Sequence, residues 1–151
     1  MTKKILKGLK YDNKTIKDIS LLVEQHLRPH TFKMGWTDSA VRRYIVDAGH
    51  MLEDLNQLVR ADVTTKNKTK AKEIYDNLDE MEKRIEEVKA KEELSKIRPA
   101  LSGDEIMKHF NIQPGPKVGV IMKALYEQRI NDGEVSKEEA LQLAEETFKN
   151  L

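Results

Sequence analysis

Four histidines are the residues best suited to metal or acid–base chemistry: His26, His30, His50 and His109. His26 and His30 stand four apart, a spacing that would put two ligands on one helical face. Pro29 lies between them and breaks that face. No His-Asp dipeptide and no H-E-x-x-H occurs, so metal-hydrolase patterns are missing. Each histidine therefore reads as a surface or capping residue. G-x-x-x-x-G-K-[ST], G-x-G-x-x-G, D-x-D and G-x-S-x-G are also missing. With 0 cysteines, neither a thiolate nucleophile nor a thiolate metal site can form. The carboxylates between 73 and 93 alternate with Lys and Arg, as solvated i,i+4 pairs do. No self-contained active site, no cofactor and no metal centre is expected.

Two features fit phosphate instead. Arg42 and Arg43 stand close to Trp36; guanidinium forks suit phosphate, and indole stacks on bases or guanidinium planes. The structural alternative is that Trp36 and the stem of one arginine pack at a helix start. The second feature is Pro114-Gly115-Pro116-Lys117 leading into a helix. Free N–H groups at a helix start attract anions, and Lys117 adds charge. The alternative is a plain turn and helix start.

The elements that must hold these residues are helical. A chain of 151 residues makes one domain or two very small ones. Apolar residues make up 38% and charged residues 35%, which suits helices with long solvated faces. No alternating apolar/polar stretch of strand length occurs. No run of 18 apolar residues exists to span a membrane. The start, MTKKILKGLK, is too short in apolar residues for a signal peptide, and the expected location is cytoplasmic. Charge is uneven: +5 over 1–35, −1 over 36–67, zero over 68–98 and −3 over 99–151. A basic front permits contact with an anionic partner.

Spacing predicts a short helix from about Thr2 to Leu9, then one from Asn13 to Leu27. Asn13 is the expected cap of the second, and Ile16, Ile19, Val23 and Leu27 its inner face. Another helix starts at Thr37 or Asp38, turns Val41, Tyr44 and Ile45 inward, and ends at Gly49. Met51 to Val63 follows, with Leu52, Leu55, Leu58 and Val59 inward. In 68–97, Ala71, Ile74, Leu78, Met81, Ile85 and Val88 step 3, 4, 3, 4, 3, an a/d seam. That seam packs either inside the protein, as one arm of a helical hairpin, or against a second copy as a homodimer. Arg98-Pro99 breaks the pattern. Ser102/Glu105 and Ser136/Glu139 are capping boxes, and a helix from about Val118 to Asn131 lies between them. The expectation is an all-α fold of two small lobes joined by a long helix, divided 1–67, 68–98 and 99–151.

Five segments resemble a known family. They are LVEQHLRPH (22–30), GWTDSAVRRYI (35–45), NQLVRADVTTKN (56–67), RPALSGDEIM (98–107) and QPGPKVGVIMKAL (113–125). Together and in order they look like the C-terminal half of bacterial CCA-adding tRNA nucleotidyltransferases and poly(A) polymerases, in the subgroup with an HD domain. In that family an N-terminal head transfers nucleotides with two metal-binding carboxylates, and helical domains hold tRNA. The resemblance begins after the HD signature. His26 matches a histidine common there, but the ligands that would accompany it are missing. The resemblance implies an RNA-binding region that positions tRNA or another RNA for a head outside this chain. A piece of a longer protein and a stand-alone or split gene product both remain open. Nucleotidyl transfer is not assigned to the chain by itself. The residues carried over as RNA contacts are Arg42, Arg43, Lys66 and Asn67, with Trp36 and Lys117 from the two phosphate features. Asp38 and Asp62 are the alternatives to phosphate, as a cap or as partners of Arg43 or Arg60. The rival to RNA binding is a protein-contact module that docks a separately encoded head or dimerises through 71–88.

Overall fold

A computed structural model describes residues 1–91 and 98–151. Among them the regular elements are all helices. The chain separates into two compact units, Met1–Glu92 and Glu93–Leu151.

The first unit opens with α1 (Thr2–Gly8) and α2 (Asn13–Gln25). The cap of α2 is Asp12, one residue before the expected Asn13. Its carboxylate accepts from the backbone N–H of Lys14 at 2.9 Å and of Thr15 at 3.0 Å. Hydrogen bonds from the Thr15 hydroxyl and N–H hold the Asp12 carboxyl below its ordinary range. The helix stops at Gln25, short of the expected Leu27. A 3₁₀ helix, Arg28–Met34, follows, with Pro29 in its first turn, where no N–H is needed. The expected inner face therefore fails at its far end. Ile16 is buried, but Val23 is 46% exposed in the last turn and Leu27, beyond the helix, is 61% exposed.

Thr37 caps α3 (Asp38–Ala48), its hydroxyl accepting from Ala40 N–H at 3.3 Å. Val41, Tyr44 and Ile45 are buried as expected. The Tyr44 hydroxyl donates to Asn56 at 2.8 Å, and burial pushes its pKa above the usual value. Gly49 ends α3 at φ 52, which favours glycine. A 3₁₀ turn, Gly49–Met51, leads into α4 (Leu52–Ala61). Leu52, Leu55 and Val59 face inward, whereas Leu58, expected with them, lies on the exposed flank of that stripe.

Asn67 starts α5 (Lys68–Lys91), its side-chain oxygen accepting from Lys70 N–H at 3.1 Å. Leu78, Met81, Ile85 and Val88 are buried at 0–3% exposure, and α5 packs on α3 and the 3₁₀ helix of the same chain. Each such side chain stabilises the unit by roughly 1.5–3 kcal/mol. At these four positions the seam is core of one chain and has no free area for a second copy. The expected run of this helix to 97 lies, over 92–97, outside the described residues.

The second unit contains α6 (Gly103–Phe110), α7 (Pro116–Asp132) and α8 (Lys137–Lys149). Both expected capping boxes form. Glu105 N–H donates to the Ser102 hydroxyl at 3.2 Å, and Ser102 N–H donates back to Glu105 at 2.8 Å. Ser136 and Glu139 repeat this at 3.2 and 2.9 Å. Leu101, Ile106, Ile121, Leu125, Ala140 and Ala144 form the core. Phe110 and Phe148 stack beside it at 4.5 Å. An ion pair, Lys137 to Glu105 at 2.7 Å, ties the start of α8 to α6.

Candidate nucleic-acid interface

Chain geometry around Pro29 decides where the one tryptophan sits. The 3₁₀ helix closes at Gly35, whose φ of +88 a side chain would resist. The next residue, Trp36, is thereby folded back onto the helix it leaves. Its indole N–H donates to the Thr31 hydroxyl at 3.0 Å. Its ring meets Phe32 edge-on at 5.7 Å and Tyr44 at 5.3 Å. The Arg28 guanidinium lies 5.7 Å from both the Trp36 and Tyr44 ring centres, and donates to Asp47 at 2.7 Å. The indole is fixed on several sides yet remains half-buried.

Its remaining surface lines a groove of about 490 Å³ between the 3₁₀ helix and α5. Phe32, Lys33, Gly35 and Trp36 form one wall. Asn77, Glu80, Lys83, Arg84 and Glu87 form the other. Arg84 is engaged there: it donates to Glu87 at 3.0 Å and to Asp38 at the start of α3. These hydrogen bonds, Glu87 first and then Asp38, raise its pKa. Lys33 and Lys83 are exposed and enter no ion pair among the described residues.

The residues singled out by sequence do not converge. Arg42 is only 8% exposed and is already engaged within the protein. It lies on α3 between the buried Val41 and Tyr44. Arg43 is half-buried and also partnered. Asp38 takes Arg84, and Arg60 donates to Glu82 at 2.8 Å and to Asp79 at 2.5 Å. These partners come from α5, which flanks both helices, and Asp62 is not among the acids that Arg60 meets. Lys66 is exposed in the loop before α5. Asn67, beside it, serves as the cap of α5. Lys117 belongs to the second unit, with its ammonium 5.3 Å from the Phe148 ring centre. Gly115 precedes α7 and Pro116 occupies its first turn.

Three of the four histidines have a side-chain contact. His26 Nδ1 lies 2.8 Å from the Val23 carbonyl, His50 Nε2 3.0 Å from Asp18, and His109 Nε2 3.1 Å from Glu145. Among the described residues, no group of three or more His, Asp or Glu side chains could hold a metal ion. No described helix is long and apolar enough to cross a membrane.

Sequence reasoning missed Arg28, Lys33, Asn77, Lys83 and Arg84. A local signal existed for Lys33, which sits with Phe32 and Trp36 in FKMGW (32–36). For the α5 residues there was none, because Arg84 meets Asp38 across 46 positions of chain.

Helices make up the regular structure of the described residues, an all-α class, and one unit carries a groove lined by aromatic and charged side chains. The chain belongs to the family described as tRNA nucleotidyltransferase domain 2, which matches residues 1–144. It is 28% identical over 131 residues to an A-adding tRNA nucleotidyltransferase of Deinococcus radiodurans, covering 85% of this chain and 29% of that protein. It is 31% identical over 132 residues to a CC-adding tRNA nucleotidyltransferase of Thermus thermophilus, covering 87% of this chain and 28% of that protein. The chain thus spans under a third of the length of these relatives. No solved structure matches it.

Proposed function

We propose that this chain is the RNA-holding region of a tRNA nucleotidyltransferase-type enzyme, and that it positions tRNA or another RNA for a catalytic head outside its 151 residues. The observation that carries this reading is the groove itself: two exposed lysines outside any described ion pair flank a fixed indole, in a chain of a tRNA nucleotidyltransferase family. Ammonium groups hold phosphate as point charges without reading sequence. Binding then releases counterions, and affinity falls with salt.

The test is titration of fluorescently labelled tRNA from about 50 to 200 mM salt. Each phosphate contact contributes about 0.7–0.9 to the slope of log affinity against log salt. Lys33→Gln with Lys83→Gln therefore flattens the slope by about 1.4–1.8. Over that fourfold range the salt penalty shrinks by roughly 7–12-fold. An unchanged slope in a variant with unchanged melting would refute the assignment.

A second reading rests on a separate observation. Ile5, Leu9, Tyr11, Val23 and Leu27, all within the first 27 residues, are large, apolar and exposed. Such surface suits docking of a separately encoded head. Leu9→Lys with Val23→Lys should abolish binding to that head and leave the tRNA titration unchanged. Head binding that survives both changes would remove this reading.

A further inference from the structure

We propose that the groove between the 3₁₀ helix and α5 receives one unpaired nucleobase, stacked on Trp36, with its flanking phosphates on Lys33 and Lys83. This rests on the RNA-holding reading and adds which part of the RNA is held.

Three observations converge. First, the aromatic surface is prepared before any ligand arrives. The Thr31 hydrogen bond and the Phe32 and Tyr44 rings fix the indole, so little freedom is lost on stacking. Arg28 covers part of the ring but is not a wall of the groove, so the groove-facing surface is surface that Arg28 leaves open. Second, the size fits a single nucleotide. A volume of about 490 Å³ lies within the range of small-ligand sites and cannot admit a double-stranded stem. A base that enters must be unpaired, which is how single-stranded loops and ends are recognised. Third, the charge is placed for a nucleotide rather than for a bare anion. Arg84 is already bridged to Asp38 and Glu87, and Glu80 adds an acid to the α5 wall. The groove is therefore no general anion trap. Lys33 on one wall and Lys83 on the other leave positive charge on both sides of a neutral, planar occupant. Asn77 adds an amide for its edge: Nδ2 donates to the Glu73 carbonyl at 2.8 Å, leaving Oδ1 as an acceptor.

Trp36 is the chain's single tryptophan, so its emission reports on the groove alone. The experiment titrates the full chain with an end-labelled hexanucleotide RNA, with the same strand annealed to its complement, and with labelled tRNA. Label anisotropy reads binding and Trp36 emission reads stacking. The single strand is expected to quench Trp36, and the duplex to leave it unchanged. Lys33→Gln with Lys83→Gln should weaken single-strand binding about tenfold at low salt. Asn77→Phe, which fills the groove from the α5 side, should abolish the quenching. It avoids the loss of packing on Tyr44 that Trp36→Ala would cause. Binding of the single strand with Trp36 emission unchanged would overturn the base site and leave the RNA-holding reading standing. Absence of any anisotropy change with strand, duplex or tRNA at 50 mM salt would overturn both.

Discussion

Replacing Ile85 with alanine separates a core seam from a dimer seam. Ile85 is 1% exposed in the last third of α5, between Met81 and Val88, which are as well shielded. Truncating a buried isoleucine to alanine costs about 2–5 kcal/mol, part from lost transfer energy and part from the cavity left behind. We take about 3 kcal/mol, because neighbours on α3 and the 3₁₀ helix hold this site from collapsing. For a unit of 60–100 residues, each kcal/mol lowers Tm by about 4–8 °C. The first unit, Met1–Glu92, is of that size. A fall of roughly 12–24 °C is expected. Circular dichroism at 222 nm should show it equally across a hundredfold range of protein concentration. If the seam instead joined two copies, Tm would rise with concentration and the variant would be a folded monomer. Leu78→Asp with Ile85→Asp sharpens the contrast, since two buried carboxylates should unfold the unit outright. A soluble, folded monomer from that double variant would refute the reasoning, as would a loss below about 1 kcal/mol in Ile85→Ala.

Arg42→Ala removes a buried cation already engaged within the protein; it should destabilise the fold by about 1–3 kcal/mol and leave the salt slope of tRNA binding unchanged. A flattened slope with unaltered melting would place Arg42 on the RNA. In the second unit, a hydrogen bond from Lys137, then the Ser102 N–H and hydroxyl, lower the Glu105 carboxyl from 4.5 to about 2. A depressed folded pKa stabilises above the unfolded value and loses that contribution as pH falls through the folded one. Stability tied to Glu105 should therefore be complete above about pH 5 and vanish toward pH 2. Glu105→Gln should make the acid limb of Tm against pH shallower in that window; an identical limb would show that the ion pair contributes nothing.

What could be read from the chain was whatever depends on neighbours in sequence. The two Ser-x-x-Glu boxes, the Thr37 cap, the turn at Gly49 and the Leu78-to-Val88 periodicity are such features, and each is found in place. The Asn13 cap failed by one residue because Asp12 and Asn13 both offer a side-chain oxygen that can accept from the N–H groups at a helix start, and spacing cannot rank them. Val23 and Leu27 failed because a stripe of correct period says which side faces inward and not where the covering layer ends. The candidate site was legible only in part. Trp36 was visible as an aromatic beside charge, but its groove needs α5, some forty positions later. Arg84 and Lys83 look alike among the many charges of that helix, and only the fold shows one bridging two carboxylates and the other exposed.

That contrast explains why Arg42 and Arg43 stood out in the sequence while Lys33 and Lys83 did not. A guanidinium presents a planar fork that carboxylate and phosphate fit equally well. Arginine in a sequence is thus ambiguous between RNA and the protein's own acids. Here three arginines of the first unit bind its own acids: Arg28 on Asp47, Arg60 on Asp79 and Glu82, and Arg84 on Asp38 and Glu87. Each ties elements distant in sequence and so fixes the walls of the groove. Lysine is a flexible, strongly hydrated point charge that builds poorly but remains available in water. Charge left for an anionic partner is therefore lysine charge, and it attracts without orienting. Orientation has to come from a rigid, shape-bearing group, and Trp36, held by Thr31, Phe32, Tyr44 and Arg28, is that group. Two lysines account for a salt slope of at most about 1.8, far below what six to ten phosphate contacts produce. On the RNA-holding reading we propose, this groove would bind with modest affinity, and its contribution would lie in fixing where on the RNA the rest of the contacts begin.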